Sequence, residues 1–211
     1  EIFKEDSDDV PTTTVLIDLG SERASTSHDG PSVEVVIARL YTMSAPEIAC
    51  LCLSHSDTDH VSMILQLLAA FNPPGVIDPL GKKKNLTIKK AYYGGNPSLY
   101  KKRGKANILT EVGKYMTSGE PYGMPTDTTS YAKGNSPLYE DSTLSLKVML
   151  LIGNSIKAED EEIDDSTDLP KTGGLNLNTV SLIVVVDWND VQFITTGDAT
   201  GITMLRANGI M

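Results

Sequence analysis

Six consecutive residues, Ile48-Ala-Cys-Leu-Cys-Leu53, run directly into the polar heptapeptide Ser54-His-Ser-Asp-Thr-Asp-His60. A run so short and so continuously apolar predicts a buried strand, and a buried strand requires a sheet covered by other elements. The residues after the heptapeptide, Val61-Ser-Met-Ile-Leu-Gln-Leu-Leu-Ala-Ala-Phe71, have helical composition until Asn72-Pro-Pro-Gly75 ends them. The polar motif is thereby placed at a strand-to-helix junction of an α/β fold. At 211 residues the chain is long enough for one such domain, 1–211, to bury a core without disulfides.

The same reading extends along the chain. Thr12-Thr-Thr-Val-Leu-Ile-Asp-Leu19 predicts a strand stopping at Gly20, with a polar loop from Ser21 to Pro31. Val33 to Met43 is ambiguous between helix and strand. A further strand is expected within Val76–Ile88 or Ala91–Tyr93, a helix over Ile108–Thr117, and a long loop over the Gly-, Pro-, Ser- and Thr-rich stretch Gly119–Pro137. Thr143 to Ile152 alternates and then turns apolar, as a strand entering a core does. Val180–Asp187 and Val191–Thr196 flank Trp188-Asn-Asp190 as a hairpin that ends at Gly197-Asp198. Cys50 and Cys52, the two cysteines, fall on one face of their strand, too close for an unstrained disulfide, and are expected to be small core residues. They suit a reducing compartment such as the cytoplasm without requiring one.

Charge is segregated. The net charge of −10 argues against a chain that coats nucleic acid uniformly. Yet residues 82–105 hold nine of the 18 basic residues and no acidic one, with Tyr92, Tyr93 and Tyr100 among them. Acidic residues gather near the start and in the loop 157–168, which is expected to be a solvated insertion. No apolar run approaches the roughly 20 residues of a membrane span. The sequence leaves the oligomeric state open.

His55, Asp57, Asp59 and His60 lie within six residues and are all types that coordinate divalent metals. An i, i+2 pair on a strand-end loop can face one ion, and the adjacent Asp59-His60 can face a second position. Carboxylates buried side by side without a cation would be costly. The plainer alternative is an exposed loop whose Asp residues cap a helix. Two distant segments bear on the choice, because Val15-Leu-Ile-Asp-Leu-Gly20 and Phe193-Ile-Thr-Thr-Gly-Asp198 also place Asp18 and Asp198 after apolar strands. Three acidic strand ends predict convergence at one sheet edge.

This order of motifs resembles the metallo-β-lactamase superfamily. It is most similar to the hydrolase domain of bacterial DNA-uptake competence proteins, where a His-x-Asp-x-Asp-His variant is usual and Asn-x-x-Ser opens a strand as Asn178-Thr-Val-Ser181 does. The resemblance covers roughly Val15 to Met211, with no motif matched between about residues 75 and 140. It implies a four-layer αβ/βα sandwich holding one or two divalent ions, Zn²⁺ or Mn²⁺ with Mg²⁺ as a further option. His55 and Asp57 would face one metal position, Asp59 and His60 the other, and Asp198 would bridge, while Asp18 and Asn178 would support the site. Asp59, beside His60, would orient or deprotonate the attacking water. The chain departs from the family in Asp57 and Asn178, each standing where histidine is common, and in having no histidine after Asp198. The family's last histidine comes after a further helix and strand, so a domain truncated at its termini is expected.

The implied function is metal-dependent hydrolysis, as a phosphodiesterase or nuclease whose nucleic-acid substrate meets the 82–105 segment through Lys101, Lys102 and Arg103 and stacks on its tyrosines. Two alternatives stand beside it. One is a hydrolase of a small ester, lactone, thioester or lactam, and the other is a non-catalytic binding protein with a degenerate centre.

Overall fold

A computed structural model describes residues 12–20, 33–101, 106–125, 129–131, 135–153, 180–199 and 204. The architecture is mixed α/β, with one parallel and one antiparallel sheet. In the parallel sheet, β1 (Val15–Ile17), β3 (Cys50–Leu53), β5 (Ala91–Tyr93) and β6 (Tyr122–Gly123) lie side by side in the order β1-β3-β5-β6. A separate parallel pair, β2 (Glu47–Ile48) with β4 (Thr87–Ile88), sits before the entrance of β3 and β5. The antiparallel sheet is ordered β10-β9-β8-β7, from β7 (Tyr139–Asp141), β8 (Leu146–Ile152), β9 (Ile183–Trp188) and β10 (Val191–Thr195).

Period-2 geometry divides β3 between two cores. Leu51 and Leu53 pack with Leu40 of α1 (Val33–Thr42), Ile64, Leu67 and Leu68 of α3 (Ile64–Ala69), and Val112 of α4 (Ile108–Gly113). Cys50 and Cys52 face the opposite way, among Val148 and Leu150 of β8 and Val184 of β9. The parallel sheet is thus covered by helices on one face and by the antiparallel sheet on the other, which explains why its central strand carries no polar residue. Each fully buried leucine here contributes about 1.5–3 kcal/mol. The cysteines are free and buried with Sγ atoms 3.8 Å apart, as small core residues on one face of a strand should be. The Cys52 thiol is held well above its ordinary pKa by its contact with Cys50 and by burial.

Val33–Thr42 resolves as a helix, because residues 33, 36, 37 and 40 line one face against the helical core. The predicted helix from Val61 starts earlier and is interrupted. Its first segment, α2 (Thr58–Val61), takes Asp59 and His60 into a helical turn. The interruption has a cause in the β1 loop, whose Leu19 N–H donates to His60 O at 2.7 Å and whose Leu19 carbonyl accepts from Met63 N at 3.1 Å. That second bond takes the amide that would have continued the ladder. Within the stretch expected to be a loop, Tyr122–Gly123 forms β6 by pairing with Tyr92–Tyr93. The hairpin forms as expected, and its turn residues Asn189 (φ 48°) and Asp190 (φ 64°) both have the positive φ that a type I′ connection demands. The 157–168 loop lies outside the described residues. Among the described residues no helix is long and apolar enough to cross a membrane.

Candidate metal centre

Parallel strands send their C-terminal ends to one edge, and the polar motif leaves β3 at that edge. Asp18 leaves β1 beside it, in the left-handed region at φ 54°, which Asp tolerates better than most residues. The backbone approach there is very close. A Cβ on Gly20 would stand 2.4 Å from Asp59 O, so glycine is what allows the β1 loop to lie against α2. Gly197, at φ 50°, presses against Ser54 in the same manner, its would-be Cβ 2.8 Å from Ser54 Oγ. The second sheet is tied in where Leu182 N donates to Ser54 O at 3.0 Å.

These approaches converge on Ser54, and its hydroxyl organises the histidines. Asp18 Oδ1 accepts from Ser54 N at 2.7 Å, and Asp18 Oδ2 accepts from Ser54 Oγ at 2.7 Å and from His60 Nδ1 at 2.9 Å. Since the Ser54 proton is committed to Asp18, Ser54 Oγ acts as acceptor toward His55 Nδ1, 3.0 Å away, with Ser181 Oγ a further 3.3 Å contact. One carboxylate thereby sets both rings, His60 directly and His55 through Ser54. Each Nδ1 is engaged inward and each Nε2 points to the edge. Such outer hydrogen bonds fix the tautomer of ligating histidines.

The outward atoms lie close together. His55, His60 and Asp198 each offer a ligand atom, all within 4.8 Å of one another. His60 Nε2 is 3.3 Å from Asp198 Oδ1 and 3.6 Å from Asp59 Oδ2, and the two imidazole rings are 4.2 Å apart. His55 is fully buried, and its Nε2 has no hydrogen-bond partner among the described residues. Asp57 Oδ2 is 3.4 Å from that nitrogen but outside hydrogen-bonding geometry. Burial and the neighbouring His60 lower the pKa of His55, keeping its ring neutral. The hydrogen bond to Asp18 has the reverse effect on His60, whose pKa is raised to about 9. The structure therefore brings Asp18, His55, Asp57, Asp59, His60 and Asp198 to one edge. Asn178 lies outside the described residues.

Ser54 and Ser181 were not legible as positioning groups, since serines beside a strand end are ordinary and only the fold shows both facing His55 Nδ1. Nor does the described part of the basic segment, 82–101, form one surface. Lys83 Nζ donates to Ala69 O, Lys84 Nζ donates to Tyr41 O and Met43 O, and Lys89 pairs with Glu47 at 2.7 Å. All three precede β5 and lie toward the N-terminal edge, away from the histidines. The tyrosines are packed rather than presented: Tyr100 is fully buried with its hydroxyl donating to Gly94 O, Tyr92 donates to Leu138 O, and Tyr93 packs on the helical core. Tyr100 is therefore not available to stack on a base. Lys101 is exposed and follows Tyr100 on the site side, while Lys102 and Arg103 lie outside the described residues.

Compared with protein-family models, with curated proteins and with solved structures, the chain finds no match in any of the three.

Proposed function

We propose that this chain is a divalent-metal-dependent hydrolase with a metallo-β-lactamase-like αβ/βα sandwich, its ion held by His55, Asp57, Asp59, His60 and Asp198. The observation that carries the reading is the orphaned Nε2 of the fully buried His55, facing the site of a second histidine and Asp198. A buried imidazole nitrogen without a partner costs free energy that a ligand bond would recover. The donor set of imidazole and carboxylate suits Zn²⁺ or Mn²⁺, and its oxygen content also admits Mg²⁺. When bound, the ion supplies acidification of the attacking water and charge neutralisation at the electrophile. The chain does the rest. His55 and His60 would hold it through Nε2, Asp18 and Ser54 engage each Nδ1 so that Nε2 is the atom turned to the site, and Asp59 Oδ2 would receive the proton of the water.

For the substrate, we place a nucleic-acid phosphodiester first, with contact through Lys101, Lys102 and Arg103. The packed tyrosines and the diversion of Lys83, Lys84 and Lys89 favour a second reading, a small ester, lactone, thioester or lactam. The test is elemental analysis of purified full-length protein, joined to hydrolysis of bis(p-nitrophenyl) phosphate and p-nitrophenyl acetate with added Mn²⁺ or Zn²⁺. Bound metal in wild type and its loss in His55→Ala/Asp198→Ala support the centre. Equal metal in both proteins refutes it, and cleavage of the acetate alone moves the substrate to the second class.

A further inference from the structure

At the edge of the parallel sheet away from the histidines, the chain between Asn72 and Asn85 closes into a pinned loop. Its neck is fastened by Asn72 N donating to Lys84 O at 3.0 Å and Leu86 N donating to Asn72 O at 2.9 Å. Within it, the Asp78 carboxylate accepts three backbone amides, from Leu80 at 3.0 Å, Lys82 at 2.7 Å and Lys83 at 2.8 Å. Those bonds hold the Asp78 carboxyl below its ordinary pKa. Pro73, Pro74 and Pro79 stiffen the same stretch. The loop is ordered by its own polar bonds rather than by burying its apolar side chains. Val76 is 46% exposed, Ile77 87% and Leu80 74%.

Three large aliphatic side chains held outward in one rigid loop differ from the scattered exposed leucine of any protein surface. Rigidity matters, because the loop cannot fold its tip back and has little conformational freedom left to lose on docking. The charge of the segment itself is one-sided, although Lys89 is paired with Glu47 of β2. Between Asn72 and Lys90 there are five lysines, Lys82, Lys83, Lys84, Lys89 and Lys90, and one acid, Asp78, whose oxygens are turned inward to amides. Lys83 and Lys84 lie over the C-terminal carbonyls of α3 and α1. Lys82 and Lys90 are exposed. This cationic shoulder sits on a chain whose net charge is −10.

We propose that the loop 72–85 docks the protein on an anionic lipid surface, inserting Val76, Ile77 and Leu80 among the acyl chains while the lysines meet the headgroups. The occupant follows from shape and charge together. A convex, purely aliphatic tip lacks the aromatic anchors and pockets of a protein hot spot, whereas shallow apolar insertion joined to basic residues is the two-signal pattern of reversible membrane attachment. Docked by this edge, the molecule keeps the C-terminal strand edge turned away from the bilayer. This inference does not rest on the metal centre.

The experiment is flotation of the full-length protein with vesicles of phosphatidylcholine alone or in equal parts with phosphatidylglycerol, at low and high salt. Wild type should float with the mixed vesicles, stay behind with the neutral ones, and dissociate as salt rises. Ile77→Ser/Leu80→Ser should lower the bound fraction by about tenfold or more, with an unchanged melting profile and metal content. Lys82→Gln/Lys90→Gln should weaken binding and flatten its salt dependence. Failure of wild type to float, or equal flotation of the Ile77/Leu80 variant, overturns the proposal. So does a wild-type dimer that the same variant dissociates without any vesicle binding, which would assign the tip to a second copy of the chain.

Discussion

Replacing Asp18 by Asn should undo the centre from behind. The substitution preserves size, and one oxygen still accepts from Ser54 N. The other position becomes an NH₂ facing Ser54 Oγ and His60 Nδ1, two groups that both need an acceptor there. Two bonds to a charged oxygen are lost, each worth about 1.5–3 kcal/mol, and rotation of the hydroxyl and a switch of the His60 tautomer recover part of that. The expected net loss is about 2–4 kcal/mol of stability.

The pH dependence separates this cause from general damage. His60 has its pKa raised from 6.5 to about 9 in the folded chain, first of all by the Asp18 hydrogen bond. A raised folded value contributes stability that is complete below about 6.5 and is lost as pH climbs through about 9. The full shift would correspond to over 3 kcal/mol at about 1.4 kcal/mol per unit, and solvent access to the site reduces that to about 2 kcal/mol. Urea unfolding of chelator-treated protein, followed by the fluorescence of the single tryptophan, Trp188, should therefore show wild type losing about 2 kcal/mol between pH 6.5 and 9. Asp18→Asn should be weaker at pH 6.5 and nearly flat across the window. Its metal affinity should fall about 10–100-fold, since the switched tautomer carries its proton on Nε2. Parallel pH profiles for the two proteins would refute the role given to Asp18.

Gly20→Ala tests the packing of the β1 loop on α2. A Cβ 2.4 Å from Asp59 O and 2.6 Å from His60 C meets backbone that cannot rotate away, so a loss of about 1–3 kcal/mol is expected in the same urea assay, and a wild-type midpoint would show the loop free to move. For nucleic acid, changing Lys101, Lys102 and Arg103 to Gln should lower the slope of log affinity against log salt by about two to three units, while Lys82→Gln/Lys90→Gln at the far edge leaves it unchanged. Identical slopes for wild type and the triple variant would remove the phosphodiester reading in favour of a small substrate.

What was legible in the sequence was whatever local pattern decides. The apolar run Ile48–Leu53 and the period-2 spacing of Cys50 and Cys52 depend only on alternation, and the Asn189-Asp190 turn only on which residues accept positive φ. Clustering of His55, Asp57, Asp59 and His60 is also local, so that grouping of side chains was visible before the fold. The break between α2 and α3 was not, because it depends on the Leu19 loop, whose partners lie some 40 residues away. How the basic segment is distributed over the fold was hidden for a related reason. Contiguity in sequence conceals that β5 runs through it, carrying Lys82 to Lys90 and Lys101 to opposite edges of the sheet. The burial of Tyr100 is a tertiary outcome of the same crossing.

The charge balance at the strand edge explains why so many ligand types can share it without the cluster flying apart. Asp18, Asp57, Asp59 and Asp198 stand around a neutral, desolvated His55, and His60 is the single group able to offset them. Protonated near neutral pH, its Nε2–H faces Asp198 at 3.3 Å and Asp59 at 3.6 Å, while Nδ1–H is spent on Asp18. That proton lies where a cation would be held, and a divalent ion held at Nε2 would have to displace it. Two features would favour that exchange. An ion would bring a second positive charge to the carboxylates and would give His55 Nε2 the partner it lacks among the described residues. The same inward bonds from Asp18 and Ser54 serve both states, so the backbone packing at Gly20 and Gly197 need not change between them. On the proposed reading, the inward hydrogen bonds would hold the site's groups in register before an ion arrives.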